Sequence, residues 1–88
     1  MYFDKSPDID HRTIGGEAFI ITAEDSKIHS LNAVGTWVFD RCDGKTSLAA
    51  IVDSVVEEFS VERETAANDV EKFIHSLETR GMIRRVVA

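Results

Sequence analysis

The sequence has one cysteine and no grouping of residues typical of a metal site. Cys42 has no partner in the chain for a disulfide, and a Cys-rich metal site would need further thiols. We expect a structural cysteine near a helix end, since a reactive one would need exposure and a lowered pKa. His11, His29 and His75 fall on different predicted elements and lack the spacing of a zinc helix or finger. We therefore expect no metal and no other cofactor.

Long hydrophobic runs are also missing. No apolar run approaches the ~20 residues of a membrane span. The N-terminus lacks the basic and apolar regions of a secretory signal, so we expect a cytoplasmic protein that does not enter the membrane. The 88 residues contain no linker, repeat or low-complexity segment. They predict a single domain over 1–88 with one modest core, too small for a deep enzyme cleft.

The local patterns of catalytic nucleophiles are absent. There is no Gly-x-Ser-x-Gly elbow, no phosphate-binding loop and no Cys and His pair with a protease signature. The neighbouring acids Glu57/Glu58 and Glu62/Glu64 are typical of solvated helix faces. We expect no catalytic residues and no enzymatic activity.

Positive charge is scarce, and the formal net charge is −6. Residues 1–60 hold 11 acids against 5 Lys and Arg, whereas residues 61–88 hold 5 of each. This balance disfavours nucleic acid as a partner, because phosphate contacts require many cations. Arg80, Arg84 and Arg85 cluster after the last predicted helix, where we expect them to be solvated, with contact to an acidic peptide as the alternative.

The first third of the chain alternates between apolar and polar residues. Ile9 to Thr13 and Ala18 to Thr22 flank the pair Gly15-Gly16, which supplies the positive-φ positions of a tight hairpin turn. A polar turn at Ala23 to Ser26 precedes a third run, Lys27 to Leu31. The pattern predicts a three-stranded antiparallel meander.

From Asn32 onward the period changes to about 3.6, which predicts helices. Asn32 is a strong N-cap for a helix over about 33–42, with Gly44 closing it. Trp37 is expected to anchor its apolar face, which comprises Val34, Trp37 and Val38.

Two further helices are predicted after Gly44. The second is capped by Thr46 or Ser47 and ends near Phe59. The third starts between Glu62 and Glu64 and runs to Arg80, with Gly81 as its stop. Its apolar stripe is Ala66, Val70, Phe73, Ile74 and Leu77. The closing Met82 to Val87 predicts a short strand or a packed tail.

The predicted fold class is α+β, in a winged helix-turn-helix-like arrangement with a three-stranded antiparallel sheet followed by three helices. The third strand of a meander is an edge, so one side presents unpaired amides and carbonyls. An extended peptide can dock there by strand addition. The alternative is that Lys27 only blunts the edge against aggregation.

The order and spacing of several motifs resemble the PqqD family from about Ile9 to Met82. The resemblance includes the hairpin, Leu31-Asn32 with Gly35, Cys42-Asp43-Gly44, Ile51, and Asp69-Val70 leading to Phe73, Leu77 and Gly81. It implies a non-catalytic peptide chaperone, also called a RiPP recognition element, that binds the leader of a ribosomally made precursor peptide. The implied partner is a peptide-modifying enzyme, which in the pathway to pyrroloquinoline quinone (PQQ) is a radical SAM protein.

The resemblance also implies where the leader lies. Carried to matching positions, the edge strand consists of Lys27, Ile28, His29, Ser30 and Leu31, and the helix wall of Val70, Phe73, Ile74 and Leu77. About half of the wall is expected to reach the groove while the rest serves the core. The chain departs from the family pattern at Ala23-Glu24-Asp25-Ser26, where members tied to the quinone pathway usually carry a Pro-Glu-Gly-like turn. PQQ is therefore one candidate product among modified peptides.

Two alternatives remain open at this point. One is a winged-helix DNA-binding regulator, disfavoured because the third helix carries five acids against three cations. The other concerns Met82 to Val87, which is apolar enough to fill the groove itself or to exchange between copies. We accordingly expect a monomer or a swapped dimer.

Overall fold

The computed structural model describes residues 1–24 and 26–86, which form two three-stranded sheets and three helices. The described strands are β1 (Tyr2–Lys5), β2 (Ile9–Ile14), β3 (Glu17–Thr22), β4 (Ile28–Ser30), β5 (Asp43–Ser47) and β6 (Ile83–Val86). The described helices are α1 (Ala33–Asp40), α2 (Leu48–Phe59) and α3 (Arg63–Thr79). The predicted α+β class, with an antiparallel meander and three helices, is confirmed.

The meander is an antiparallel sheet of order β2-β3-β4. Ile14 pairs with Glu17 across the turn, where Gly15 and Gly16 have φ of 59° and 80°. These left-handed values favour glycine and give the hairpin its tight turn. Strand β4 is shorter than predicted, since Lys27 and Leu31 lie outside it, and part of the preceding turn, Asp25, lies outside the described residues.

A second antiparallel sheet, of order β5-β1-β6, was not predicted. Strand β1 pairs through Tyr2 with Ser47 of β5 and through Phe3 with Arg85 of β6. Phe3 is buried in the core, which secures the sheet. The closing segment therefore forms a strand, as one of the two alternatives predicted.

The end of α1 differs from the prediction. The helix stops at Asp40, and the amides of Arg41 and Cys42 return to the carbonyls of Val38 and Phe39 at 3.1 and 3.0 Å. Gly44 has a φ of 77° but lies inside β5, so the prediction that it closes the helix is wrong.

The chain turns into β5 at Asp43. Asp43 Oδ1 accepts hydrogen bonds from the backbone N–H groups of Lys45 and Thr46, at 2.8 and 2.9 Å respectively. These bonds lower the pKa of the Asp43 carboxyl because they stabilise its charged form, and the bond from Lys45 has the largest effect.

The other helix boundaries follow the predicted residues. Asn32 Oδ1 accepts the Gly35 N–H at 2.8 Å, and Ser47 Oγ accepts the Ala50 N–H at 3.1 Å, so both are N-caps. Helix α3 ends one residue earlier than predicted, and Gly81 follows with a φ of 73°. The Met82 N–H then bonds the Leu77 carbonyl at 2.9 Å, which satisfies the helix end.

The core joins both sheets to the helices. Its fully buried large side chains include Phe3, Phe39, Ile20, Ile51, Leu77 and Met82. Trp37 packs at the margin of this core instead of at its centre: it is half-buried, its Nε1 donates to Ser54 Oγ at 3.0 Å, and its ring meets Phe59 edge-on.

Cys42 is fully buried, and its Sγ donates to the Val38 carbonyl at 3.4 Å. Burial raises the pKa of the thiol to about 12, so it is protonated at neutral pH. This is the structural cysteine that the sequence predicts.

Within the described residues, no cluster of three or more His, Cys, Asp or Glu side chains is placed to hold a metal ion. No helix in that same part of the chain is long and apolar enough to span a membrane.

Candidate functional site

A groove of about 500 Å³ lies beside β4, between the start of α1 and one face of α3. Strand β4 and the residues after it contribute one wall and α3 the opposite wall, and residues of α1, α3 and the end of α2 form the floor. The lining is Ser30, Leu31, Asn32, Val34, Gly35, Val38, Val55, Phe59, Val61, Ala66, Asp69, Val70, Phe73 and Arg80.

The groove is apolar at its base and partly open at its rim. Val38, Val55 and Val70 form the base and are nearly inaccessible to solvent, whereas Val34 and Val61 are 39% and 36% exposed. Exposed valines around a hydrophobic depression are typical of a binding surface, since a monomer gains nothing from leaving them in water.

Thr36 fixes this groove to the sheet. Its Oγ1 accepts the Ala18 N–H at 2.9 Å and donates to the Leu31 carbonyl at 3.3 Å. Because Thr36 is buried, these bonds hold the first turn of α1 against the end of β4.

The free edge of β4 presents backbone groups beside the groove. Strand β4 is the last strand of its sheet and pairs with β3 alone within the described residues. The Leu31 N–H bonds the Ala18 carbonyl at 2.9 Å. Because antiparallel ladders alternate, His29 is the next residue bonded to β3, and the N–H and C=O of Ile28 and Ser30 point away from the sheet. The prediction that the third strand is an open edge is confirmed.

The structure brings only some of the predicted binding residues together. Ser30, Leu31, Val70 and Phe73 line the groove. Ile74 and Leu77, at 3% and 1% exposed, belong to the core and do not reach its surface. About half of the predicted helix wall thus faces the groove.

The remaining predicted residues lie on the edge strand or just before it and do not line the groove. Lys27 precedes β4 and is exposed, and His29 is half-buried opposite Ile20. Ile28 is 69% exposed and lies on the outer face of the meander. There it joins a shallower hollow of about 390 Å³ that also includes Ile14, Phe19 and Ile21.

Several groove residues were not predicted from the sequence. Val34 carries a signal, because it belongs to the apolar face predicted for α1, but this pattern does not distinguish a groove residue from a core residue. Val61 carries none, because it is an isolated apolar residue after α2. Asp69 belongs to a motif and Arg80 to an arginine cluster that the sequence shows, but neither pattern assigns the residue to the groove.

Gly35 permits a close approach of two helices at the centre of the groove. A Cβ placed on Gly35 would lie 2.9 Å from Cζ of Phe73 and 3.1 Å from Oδ1 of Asn32. Phe73 therefore rests directly on the backbone of α1, with the rest of its ring half-buried in the groove.

Helix α3 runs antiparallel to β4 along the groove. Arg80, the residue that follows α3, lines a hollow with Thr22, Ala23 and Glu24, which lead toward the start of β4. Phe73, two turns earlier, lies against Gly35 beyond the end of β4. The groove thus has an Arg80 end, at the start of β4, and an opposite end toward Val34 and Val61.

Comparison with known proteins is informative at the level of family and fold. A family model described as Coenzyme PQQ synthesis protein D (PqqD) matches residues 17–83, well over half of the chain. No curated protein sequence matches the chain.

Two solved structures are similar in fold. They are "TbiB1 in Complex with the TbiA(beta) Leader Peptide" and "Lasso peptide synthetase B1 complexed with the leader peptide". Each has a TM-score of 0.85 and 21% sequence identity, and each match covers 97% of this chain. The matches cover 99% and 100% of those chains, respectively.

Proposed function

Because this chain belongs to the PqqD family, we propose that it binds the leader segment of a ribosomally made precursor peptide and presents the precursor to a modifying enzyme. The leader adds as a strand to the open edge of β4 and places alternate side chains in the groove. The chain makes and breaks no covalent bond in this role, and it acts in the cytoplasm.

The observation that carries this proposal is the open edge beside an apolar groove. The outward N–H and C=O groups of Ile28 and Ser30 supply the backbone bonds of an added strand, and these bonds are independent of the leader's sequence. The groove floor at Val38, Val55 and Val70 supplies apolar burial, which depends on the leader's side chains. The two similar structures both carry a leader peptide in their descriptions, which supports the same class of ligand here.

Presentation works by raising the local concentration of the precursor at the enzyme. A peptide held at one point samples the neighbouring active site at an effective concentration of about millimolar, without any new contact to its modified segment. Ordering a flexible leader costs free energy, so we expect micromolar affinity.

The partner enzyme and the product belong to the finer part of the proposal. The family description names coenzyme PQQ synthesis, whereas the similar structures are described as lasso peptide proteins. The turn at Ala23 to Ser26 lacks the Pro-Glu-Gly-like sequence that is usual for the quinone pathway. We therefore propose a peptide-modifying enzyme as the partner, with a radical SAM protein and a lasso peptide synthetase as the two candidates.

A winged-helix DNA-binding role is the weaker alternative. Helix α3, the candidate recognition helix, exposes Glu64, Asp69 and Glu71, which a polyanion would repel. Arg85, one of the cations near its end, already forms an ion pair with Glu78 at 3.6 Å and lies over the Phe3 ring. A duplex titration at low salt is expected to show no binding, and salt-sensitive binding there would favour the regulator.

The direct test is an amide NMR titration of isotope-labelled protein with the leader of a small precursor encoded beside its gene. We expect shifts concentrated at residues 28–35 and 66–73, which flank the groove. The exposed loop that joins β2 and β3 serves as an internal control and should not shift. Unchanged spectra at millimolar leader would overturn the proposal.

Gly35→Ala tests whether the groove depends on the close approach of α1 and α3. The new Cβ would meet Phe73 at 2.9 Å, so the ring must move, and the open direction is into the groove. The helix propensity of alanine exceeds that of glycine by about 1 kcal/mol, which offsets the cost of moving the ring. We expect nearly unchanged stability in urea but leader affinity reduced about fivefold by calorimetry.

The control for this prediction is to make Gly35→Ala in a protein that already carries Phe73→Leu. Leucine has no atom where the phenylalanine Cζ lies, so adding Gly35→Ala to Phe73→Leu should weaken binding by less than twofold. The two substitutions form a double-mutant cycle in which the coupling isolates the ring displacement. A full fivefold loss on adding Gly35→Ala to the Phe73→Leu variant would show that Gly35 acts in another way.

A further inference from the structure

We propose that the groove reads the order of charges in the leader. It selects leaders that carry a cationic side chain about four or six positions before an acidic one, on the same face of the leader strand, with apolar residues between them. This inference rests on the proposed function, since it assumes that a leader strand lies along β4. It assigns the two charged residues of the groove, Asp69 and Arg80, to specificity.

Asp69 and Phe73 of α3 and Arg80, the C-cap residue that follows it, lie along one face and all line the groove. Their separations of four and seven residues are those of a single helix face. At 1.5 Å per residue, Asp69 and Arg80 are about 16 Å apart along the helix axis. The wall therefore presents an anion, an aromatic ring and a cation in a row.

Both charges are available to a ligand. Asp69 and Arg80 are exposed, and among residues 1–24 and 26–86 neither side chain takes part in an ion pair or hydrogen bond. Asp8 and Glu24 line a separate hollow with Arg80, of about 370 Å³, but neither bonds to it. The guanidinium thus faces solvent at one end of the groove, and the Asp69 carboxylate faces solvent farther along it.

The distance between these charges sets the spacing in the leader. An extended strand rises about 3.4 Å per residue, so about five residues cover the roughly 16 Å between Asp69 and Arg80. Successive side chains point to opposite faces of a strand, so the two leader charges that face α3 must be separated by an even number, about four or six positions. A leader residue near the middle of that span passes Phe73, where an apolar side chain is favoured. A cation opposite Asp69 and an acid opposite Arg80 complete the complementary pattern.

The direction of the leader follows from the direction of β4. The Arg80 end of the groove lies at the start of β4, and Phe73 lies beyond its end. Antiparallel strand pairs outnumber parallel ones two- to threefold, so we take the leader to run antiparallel to β4. It then passes Asp69 first and Arg80 second, which places the cation toward its N-terminus.

The probe for this inference is a random library of dodecapeptides displayed on their messenger RNA and selected against the immobilised protein at low salt. We expect enriched peptides to carry Lys or Arg about four or six positions before Asp or Glu. Exchanging the two charges in an enriched peptide should weaken its binding roughly tenfold, since each exposed ion pair contributes about two- to fivefold.

The double variant Asp69→Lys with Arg80→Glu should enrich peptides of the reversed order. It retains the net charge of the protein, so any change reports the position of charge. The matched control, Glu71→Lys with Arg84→Glu, makes the same changes at exposed positions that do not line the groove and should keep the original order.

The possible results separate this inference from the proposed function. Enriched peptides that lose binding to Phe73→Asp but show no charge order would overturn charge reading and leave leader binding in place. Enriched peptides with the opposite order would overturn the antiparallel direction and with it the inference. A selection that yields no Phe73-dependent peptide would overturn the proposed function as well.

Discussion

Phe73→Asp is expected to weaken leader binding about a hundredfold or more while the protein stays folded. Phe73 is half-buried at the centre of the groove, with its Cζ against Gly35. Burying an aromatic side chain against a ligand contributes about 1.5–3 kcal/mol, which is lost on substitution. A carboxylate at the same place must also shed its water when an apolar leader covers it, and that cost adds to the loss. Isothermal calorimetry with the leader measures the change.

Two control variants make this result specific to the groove. Phe73→Leu keeps an apolar side chain and should lose less than tenfold. Phe19→Asp places the same charge at another half-buried phenylalanine, on the outer face of the meander, and should leave leader affinity within twofold. Circular dichroism and thermal melts establish that each variant is folded. A folded Phe73→Asp protein with wild-type affinity would contradict the assigned groove.

The elements with local signals could be predicted from the sequence. Gly15-Gly16 between alternating runs specifies a hairpin, because only positive φ values close so tight a turn. Asn32 and Ser47 begin helices, since their side chains satisfy first-turn amides at 2.8 and 3.1 Å. The edge position of β4 followed from the order of the strands in a meander.

The second sheet could not be predicted in the same way, because its strands are distant in sequence. Tyr2 pairs with Ser47 and with Val86, so each contact closes a loop of tens of residues. Asp43-Gly44 is equally compatible with a helix end and with a strand. Only its pairing with β1 determines that it forms a strand. The predicted winged-helix arrangement, in which the strands precede the helices, therefore accounts for only one of the two sheets.

The site was predicted only where sequence periodicity sufficed. One apolar stripe of α3 comprises Val70, Phe73, Ile74 and Leu77. Because this stripe is wider than the surface that packs against the core, some of its side chains face away from the core. Which members face the groove depends on how α1 approaches α3, and this depends on the contact of Gly35 with Phe73. Surface charges such as Asp69 acquire a role only once the groove beside them is known.

Leu77→Ala is expected to destabilise the protein by about 3 kcal/mol without changing leader affinity. Leu77 is 1% exposed and lies among the core side chains. Removing a buried leucine side chain costs about 2–5 kcal/mol, because apolar contacts are lost and a cavity remains. Domains of this kind have a stability of about 5–15 kcal/mol, so the variant should remain mostly folded at low temperature. Urea unfolding measures the stability, and calorimetry on the folded protein measures the affinity.

Val34→Ala is the complement of this prediction and separates the two roles within one groove. Val34 is 39% exposed at the groove rim, so its truncation should leave the free energy of unfolding within about 0.5 kcal/mol. The same truncation removes apolar surface that a leader would cover, and affinity should fall about threefold. Stability and affinity would thus respond to different residues, although Leu77 and Val34 both belong to apolar helix patterns in the sequence. If Leu77→Ala instead weakened leader binding tenfold in the folded protein, Leu77 would have to reach the groove, and its assignment to the core would be wrong.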